Sequence, residues 1–422
     1  MEHVIWWQVY PLGFVGAEAT SIEGTEHRLD RMVDWFDYLL ELGCNGLSLG
    51  PVFASSTHGY DTIDHFRIDP RLGETEDLER LIAAAHDRGI KVMLDGVFNH
   101  VGRDHPKFRD ALRDGPTSEA GQWFRWDGDK PVAFEGHDIL VTLNHDNPAV
   151  QQYIGDVMTH WLDRGIDAWR LDAAYAIDPS LFRTVLPPVR ERAPAAWFVG
   201  EMIHGDYEGY VAASGLDSVT QYELWKAMWS SLNDENLFEL GHAIERNNGM
   251  LEAFVPATFV GNHDVTRIAS TLSDERMIPI AVALLFFLAG VPSVYYGDEQ
   301  GFRGVKEERV GGDDAIRPVF PSGPDELAPY GRGLFELHQA LIGVRRRHSW
   351  LHSARTEVRD LSNRSATLIS RSSGEELILT IDLTLLDSEP APHGLVAANR
   401  NVVASGPGWS IAEPASPAAK SS

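Results

Sequence analysis

Four acidic side chains stand where short apolar runs end: Asp95, Asp172, Glu201 and Asp264. Polar neighbours accompany them. Asn99 and His100 follow Asp95, Arg170 precedes Asp172 by two positions, and Asn262 and His263 precede Asp264. Residues two apart on an extended strand face the same side, so Arg170 and Asp172 share a face. A guanidinium beside Asp172 should hold that carboxyl ionised, the state a nucleophile needs. Glu201 follows the apolar stretch Trp197-Phe198-Val199-Gly200. A carboxyl in a partly apolar setting, near other carboxylates, should keep its proton and act as an acid. One charged and one protonated carboxyl acting on a single bond is what glycoside hydrolysis requires. Each residue also has a plain structural reading: Asp95 as a buried salt-bridge partner, either histidine as a satisfied core residue. The weight comes from several such residues at successive strand ends.

Such a convergence needs a scaffold that brings many strand ends to one face. The chain alternates short apolar runs with segments of helical period, the pattern of a parallel sheet covered by helices. Strands are expected over 4–10, 46–52, 91–97, 166–171, 197–200, 218–222, 258–260 and 292–296. Helices are expected over 28–42, 77–87, 149–164, 181–192, 236–247, 278–289 and 333–347. Eight strands, each but the fifth followed by such a helix, fit an α/β fold, a (β/α)8 TIM barrel, in which polar groups at the C-terminal strand ends form the active face. The catalytic barrel is read as 1–100 and 148–350. Between them, 101–147 has no clean period and forms a short inserted domain after strand 3. Alternating strands over 351–411 indicate a small all-β C-terminal domain, and 412–422 is read as a flexible tail rich in Pro, Ala and Ser.

Composition narrows the function. With 36 basic and 62 acidic residues the net charge is −26. That charge repels nucleic acid and anionic membranes and suits a neutral or cationic ligand, or serves solubility alone. The apolar run 277–290 is too short to span a bilayer and contains Pro279. The start of the chain carries no secretory signal, so a cytoplasmic location is expected. The single cysteine, Cys44, lies in an apolar run and reads as core.

The motifs resemble those of the α-amylase family of glycoside hydrolases. Asp95-Gly96-Val97-Phe98-Asn99-His100 is similar to its first signature, and Gly165 through Ala173 with the Arg170-x-Asp172-Ala173 core to its second. Val199-Gly200-Glu201 resembles the third and Phe259 through Asp264 the fourth. His58-Gly59-Tyr60-Asp61 resembles the family's strand-two loop, and Gly290 through Glu299 its strand-eight segment. The likeness covers about residues 1 to 350. It implies that Asp172 is the nucleophile, Glu201 the acid/base and Asp264 the third carboxylate. It further implies that Tyr60, Asp61, His100, Arg170, His263 and Arg317 bind substrate: Tyr60 by stacking on a sugar face, the histidines and Asp264 through hydroxyls, Arg170 by orienting Asp172. Arg317 reads equally as a surface arginine.

Two departures shape the expectation. Many relatives hold calcium, partly through the first-signature Asn and an acid of the inserted domain. Thr142 stands where Asp or Lys is common, a poor ligand for a hard cation; the usual calcium site is incomplete, and neither a metal nor a cofactor is expected. Ala174-Tyr175 follows the nucleophile in place of the Lys-His of many endo-acting amylases, so a long starch-cleaving cleft is not expected. The substrate implied is a small oligosaccharide, linear or cyclic, with α-glucosidic bonds. A transglycosylase or a sucrose or maltose isomerase of the same family is the alternative, a non-catalytic sugar-binding relative a remote one, and a homo-oligomer stays open. Trp123, Phe124, Trp126, Tyr175, Trp225 and Trp229 are read either as outer sugar subsites or as core.

Overall fold

A computed structural model of the chain describes residues 1–309, 311–387 and 401–414. Eight parallel strands form its centre: β1 Trp6–Val9, β2 Gly46–Leu49, β3 Lys91–Gly96, β4 Ala168–Leu171, β5 Trp197–Gly200, β6 Ser218–Val219, β7 Ala257–Phe259 and β8 Val291–Tyr295. Their order is β6-β5-β4-β3-β2-β1-β8-β7. The ring closes where Thr220 bridges Ala257 and the Gln221 N–H donates to the Ala257 carbonyl at 2.8 Å. The expected eight-stranded α/β barrel is the fold.

The strands are short and almost wholly buried because helices cover the outside and side chains fill the inside. The helix Phe36–Leu42 stops at Gly43, whose φ of 99° lies in the left-handed region that glycine reaches at little cost. The helix Ile278–Phe287 is apolar on every side. It packs against the last barrel helix, Arg332–Arg347, and its Ile280 lies under Gly408 of the C-terminal domain.

Several elements differ from the sequence reading. The helix expected over 28–42 is two helices, Asp30–Val33 and Phe36–Leu42. Trp35 sits at the break, fully buried among Trp7, Phe14 and Phe320; burying so large a ring outweighs one turn of helix. The sixth strand is cut to two residues because Gln221 caps a new helix, Tyr222–Asn233, accepting from the Leu224 N–H. A hairpin of Phe53–Ser55 and Thr62–Ile68 precedes β3. Segment 101–147 carries the helix Pro106–Asp114 and the antiparallel pairing of His137–Thr142 with His100–Gly102. The C-terminal residues form a five-stranded sheet: β9 Arg355–Arg359, β10 Ser365–Ser372, β11 Glu375–Asp382, β12 Asn401–Gly406 and β13 Trp409–Glu413, in the order β9-β10-β11-β13-β12. The last strand takes in Ala412 and Glu413, which had been read as tail; 415–422 lie outside the described residues.

Candidate active site

The C-terminal strand ends meet at a cavity of about 420 Å³ lined by Tyr60, His100, Asp172, Glu201, Asp264 and Arg317, among others. Register sets the first pair. Leu171 of β4 lies beside Gly200 of β5, and the Glu201 N–H donates to the Leu171 carbonyl at 2.9 Å. Asp172 and Glu201 therefore leave adjacent parallel strands at the same level, where strand spacing is about 4.8 Å. Carboxyl groups about 5–5.5 Å apart are the spacing of retaining glycosidases.

One guanidinium joins the acids. Arg170 Nη1 donates to Asp95 Oδ2 at 2.6 Å and to Asp172 Oδ1 at 3.0 Å; Nη2 lies 2.7 Å from Glu201 Oε1 and 3.8 Å from Asp264 Oδ2. All five side chains except Asp264 are nearly inaccessible. Arg170 lowers the Asp172 carboxyl, as their two-residue spacing suggests, but it does not act alone. Burial, reinforced by Glu201, Asp95 and Asp264, pushes the Asp172 carboxyl well above the usual range against the pull of Arg170. The arginine divides its charge among four acids, so its hold on any one is weak. Four carboxyls face two arginines, Arg170 and Arg317, and the cluster keeps a proton.

The surroundings of Glu201 are polar, unlike the apolar setting inferred from its strand. Its Oε2 accepts from the Ala173 N–H at 3.0 Å and its Oε1 from the Tyr222 hydroxyl at 3.3 Å. Ala173 reaches it because its backbone is left-handed, with φ 47°. Tyr222 is fixed in turn by Asn262, whose Nδ2 donates to the hydroxyl at 2.8 Å.

Asp264 is set differently. Burial would raise its carboxyl, but the hydrogen bond from His263 at 2.9 Å, with Arg317 at 3.0 Å and Arg170, holds it well below the usual range. Arg317 is no surface arginine: its side chain is buried, its Nε donates to the His263 carbonyl at 2.9 Å, and its Nη2 is shared by Asp264 and Asp313, each at 3.0 Å. Tyr60 forms the floor, its hydroxyl donating to Asp95 Oδ2 at 3.1 Å and touching His263 Nε2. Burial lowers the His100 pKa to about 3, so its ring is neutral. His100 Nε2 must carry the hydrogen, because it faces the Tyr60 carbonyl at 3.1 Å, while Asn99 Nδ2 donates to Nδ1 at 3.1 Å.

Of the six expected substrate residues, Tyr60, His100 and Arg317 line the cavity, Arg170 and His263 line a smaller chamber inside the barrel, and Asp61 lines neither. It is buried beside the cavity lining, and both oxygens are spent on Thr57, at 3.1 Å from its N–H and 2.8 Å from its hydroxyl. Its place is to shape the loop that carries Tyr60. Of the six aromatics read as subsites or core, Tyr175 lines the cavity; Trp123 and Phe124 are core. The Tyr175 hydroxyl donates to Glu135 of the inserted segment at 2.8 Å, and Phe134 stacks on His100 at 4.8 Å.

Sequence reasoning passed over Gln8, Tyr222 and Glu135. Gln8 had a signal, as the one polar residue of β1, and Tyr222 ended a segment already read as a strand end. Glu135 had none, lying in a stretch without period. At the place where the resemblance puts calcium, Asn99 turns its amide to His100 and Thr142 brings only a hydroxyl. Among the described residues no group of three or more His, Cys, Asp or Glu is arranged to hold a metal. This donor set does not fit a calcium ion.

An eight-stranded parallel barrel with three acids and an arginine at its C-terminal mouth defines a class. Residues 8–326 match the family described as the catalytic domain of alpha amylase, and the chain belongs to the α-amylase family. It is 31% identical over 333 residues to an intracellular maltogenic amylase of Bacillus subtilis (strain 168), covering 72% of this chain and 56% of that one. It is 30% identical over 381 residues to a cyclomaltodextrinase of Geobacillus thermopakistaniensis (strain MAS1), covering 82% and 63%. The chain thus spans little more than half the length of these relatives. Among solved structures, the Nostoc punctiforme debranching enzyme superposes with a TM-score of 0.78 at 25% identity, over 98% of this chain and 96% of that one. Among the described residues no helix is long and apolar enough to cross a membrane.

Proposed function

We propose that the chain is a retaining α-glycoside hydrolase that cleaves α-glucosidic bonds of short or cyclic malto-oligosaccharides. The observation that carries this reading is the single guanidinium of Arg170 holding Asp172 and Glu201 at the ends of registered neighbouring strands. In the proposed reaction the proton shared by the coupled acids stands on Glu201, which leaves Asp172 charged; Asp172 Oδ attacks the anomeric carbon while Glu201 gives that proton to the departing glycosidic oxygen, and a β-glycosyl ester forms on Asp172. Glu201 then takes a proton from water, which attacks the same carbon and releases an α-configured sugar. Asp264, held ionised, accepts from two sugar hydroxyls and favours the distorted ring.

The substrate class rests on the maltogenic and cyclomaltodextrin-acting relatives and on a cavity within the size of ordinary small-molecule sites, about 300–1,000 Å³. The wall formed by Glu135 and Tyr175 suits short chains better than an open cleft. The intracellular relative, with the lack of a long apolar helix among the described residues, supports a cytoplasmic enzyme acting on small oligosaccharides.

The test is to follow 4-nitrophenyl α-maltoside and a cyclodextrin by proton NMR. Hydrolysis with the α-anomer appearing first supports the reading. First appearance of the β-anomer, or no cleavage of either substrate, overturns it. Transfer to added glucose or maltose in preference to water would place the chain with the transglycosylases of the family.

A further inference from the structure

Gln8 is the one polar side chain of β1, and its Nε2 lies 3.1 Å from His263 Nδ1. It stands over a chamber of about 50 Å³ inside the barrel, lined also by Ser48, Thr258 and the back of Glu201. Two buried groups of that chamber, Trp6 Nε1 and Thr258 Oγ1, have no hydrogen-bond partner among the described residues. The volume admits a few waters at roughly 10–15 Å³ each.

The demands on the far nitrogen of His263 are fixed. The Tyr60 hydroxyl spends its hydrogen on Asp95, so toward His263 Nε2 its oxygen accepts. Asp264 Oδ2, 2.9 Å from the same nitrogen, also accepts. Nε2 therefore carries a hydrogen. Nδ1 has two remaining states. As a lone pair it takes the Gln8 N–H; as a second N–H it makes the ring an imidazolium and needs the amide oxygen. The groups facing the ring are Tyr60, Tyr10, Asp264 and, through the backbone carbonyl, Arg317. Asp264 already has Arg317 and Arg170 as cations, and burying a third charge in a ring that is 2% exposed carries a desolvation cost. The Asn99 amide meets His100 in the same way, N–H to Nδ1.

We propose that Gln8 is a positioning residue: by donating to Nδ1 it holds His263 neutral with its hydrogen on Nε2, so that Asp264 and Tyr60 always meet a donor. Its catalytic consequence rests on the hydrolase reading above; the tautomer does not. Without the donor, Nδ1 has no partner to keep it a lone pair, and the ring can take a second hydrogen there and become an imidazolium beside Asp264.

The test is nitrogen NMR of the full chain labelled at histidine, with His263 assigned from its absence in His263→Gln. The expected wild-type pattern is a lone-pair Nδ1 and a protonated Nε2 at pH 7. In Gln8→Leu a second hydrogen is expected to populate Nδ1, and kcat on 4-nitrophenyl α-maltoside to fall roughly 10- to 100-fold with little change in KM. In Gln8→Glu both nitrogens should be protonated, and the pH–rate profile should gain an ionisation. Gln8→Met, of matching length but without a donor, serves where Gln8→Leu does not fold. A protonated Nδ1 in the wild type, or an unchanged protonation pattern in the apolar variants, overturns the inference. If the tautomer is as stated but the wild type cleaves no α-glucoside, the hydrolase reading fails and the positioning of His263 stands.

Discussion

Ala173 donates its backbone N–H to Glu201 Oε2 at 3.0 Å from a left-handed conformation, so the residue after the proposed nucleophile orients the proposed acid. A β-branched side chain is strained at that φ. Ala173→Val is expected to lose about 1–3 kcal/mol of stability and to lower kcat as the donor swings away. Ala173→Gly keeps the N–H at ease and should retain near-normal turnover. Urea unfolding and steady-state kinetics on the pair check this; equal kinetics for Val and Gly would remove Ala173 from the account.

Arg170 acts through the geometry of its fork. A lysine keeps the charge but has one nitrogen and cannot span Asp172 and Glu201. Arg170→Lys should lose about 3 kcal/mol, since buried carboxylates are left without a partner, and its turnover should drop by about 100-fold or more. Urea unfolding and kcat measured on one preparation decide it, and turnover within threefold of wild type would show that bridging is dispensable.

Acid should weaken the fold through buried histidines. Burial lowers His65 and His338 to about 4 and His105 to about 3. The unfolded chain takes up protons below about 6.5 while the folded chain does not, so stability is full above 6.5 and falls as pH drops toward 4. Each such group contributes up to about 1.4 kcal/mol per pH unit in that window. His338 Nδ1 donates to the Leu334 carbonyl at 2.8 Å and meets no acid. His338→Gln should flatten the slope by about one proton in urea titrations at pH 7, 6 and 5; an unaltered slope would mean that His338 is charged in the folded state.

Glu299 works in the opposite direction. Burial raises it to about 7 against the Tyr38 hydroxyl, which donates at 2.8 Å. Between about 4.5 and 7 the folded state holds the extra proton, so stability is full below 4.5 and is lost as pH rises, by up to about 3 kcal/mol. Glu299→Gln should be relatively more stable at pH 8 than at pH 5. A constant difference between variant and wild type across that range would contradict the assignment.

The residues that reveal the site in the sequence are those tied to strand ends. Arg170, Asp172, Glu201 and Asp264 each follow an apolar run, and register alone brings them to one mouth. Arg317 could not be separated from a surface arginine, because its burial depends on His263 and Asp313 folding over it. Asp61 looked like a ligand by position, yet Thr57 takes both its oxygens. Two-residue spacing shows Arg170 as a private partner of Asp172, whereas the barrel makes it shared among four acids. Trp35 breaks a helix that periodicity alone would continue, since the cluster with Phe14 and Phe320 forms only in three dimensions. Glu135 lies in a segment without period, and its meeting with Tyr175 is purely tertiary.

The division of labour between Asp172 and Glu201 is tested most directly by azide and α-maltosyl fluoride. In Asp172→Gly, azide should fill the nucleophile's place and give β-maltosyl azide. In Glu201→Ala it should intercept the ester on Asp172 and give α-maltosyl azide. These two opposite products are what the account predicts; the reverse pairing, or one configuration from both variants, would contradict it.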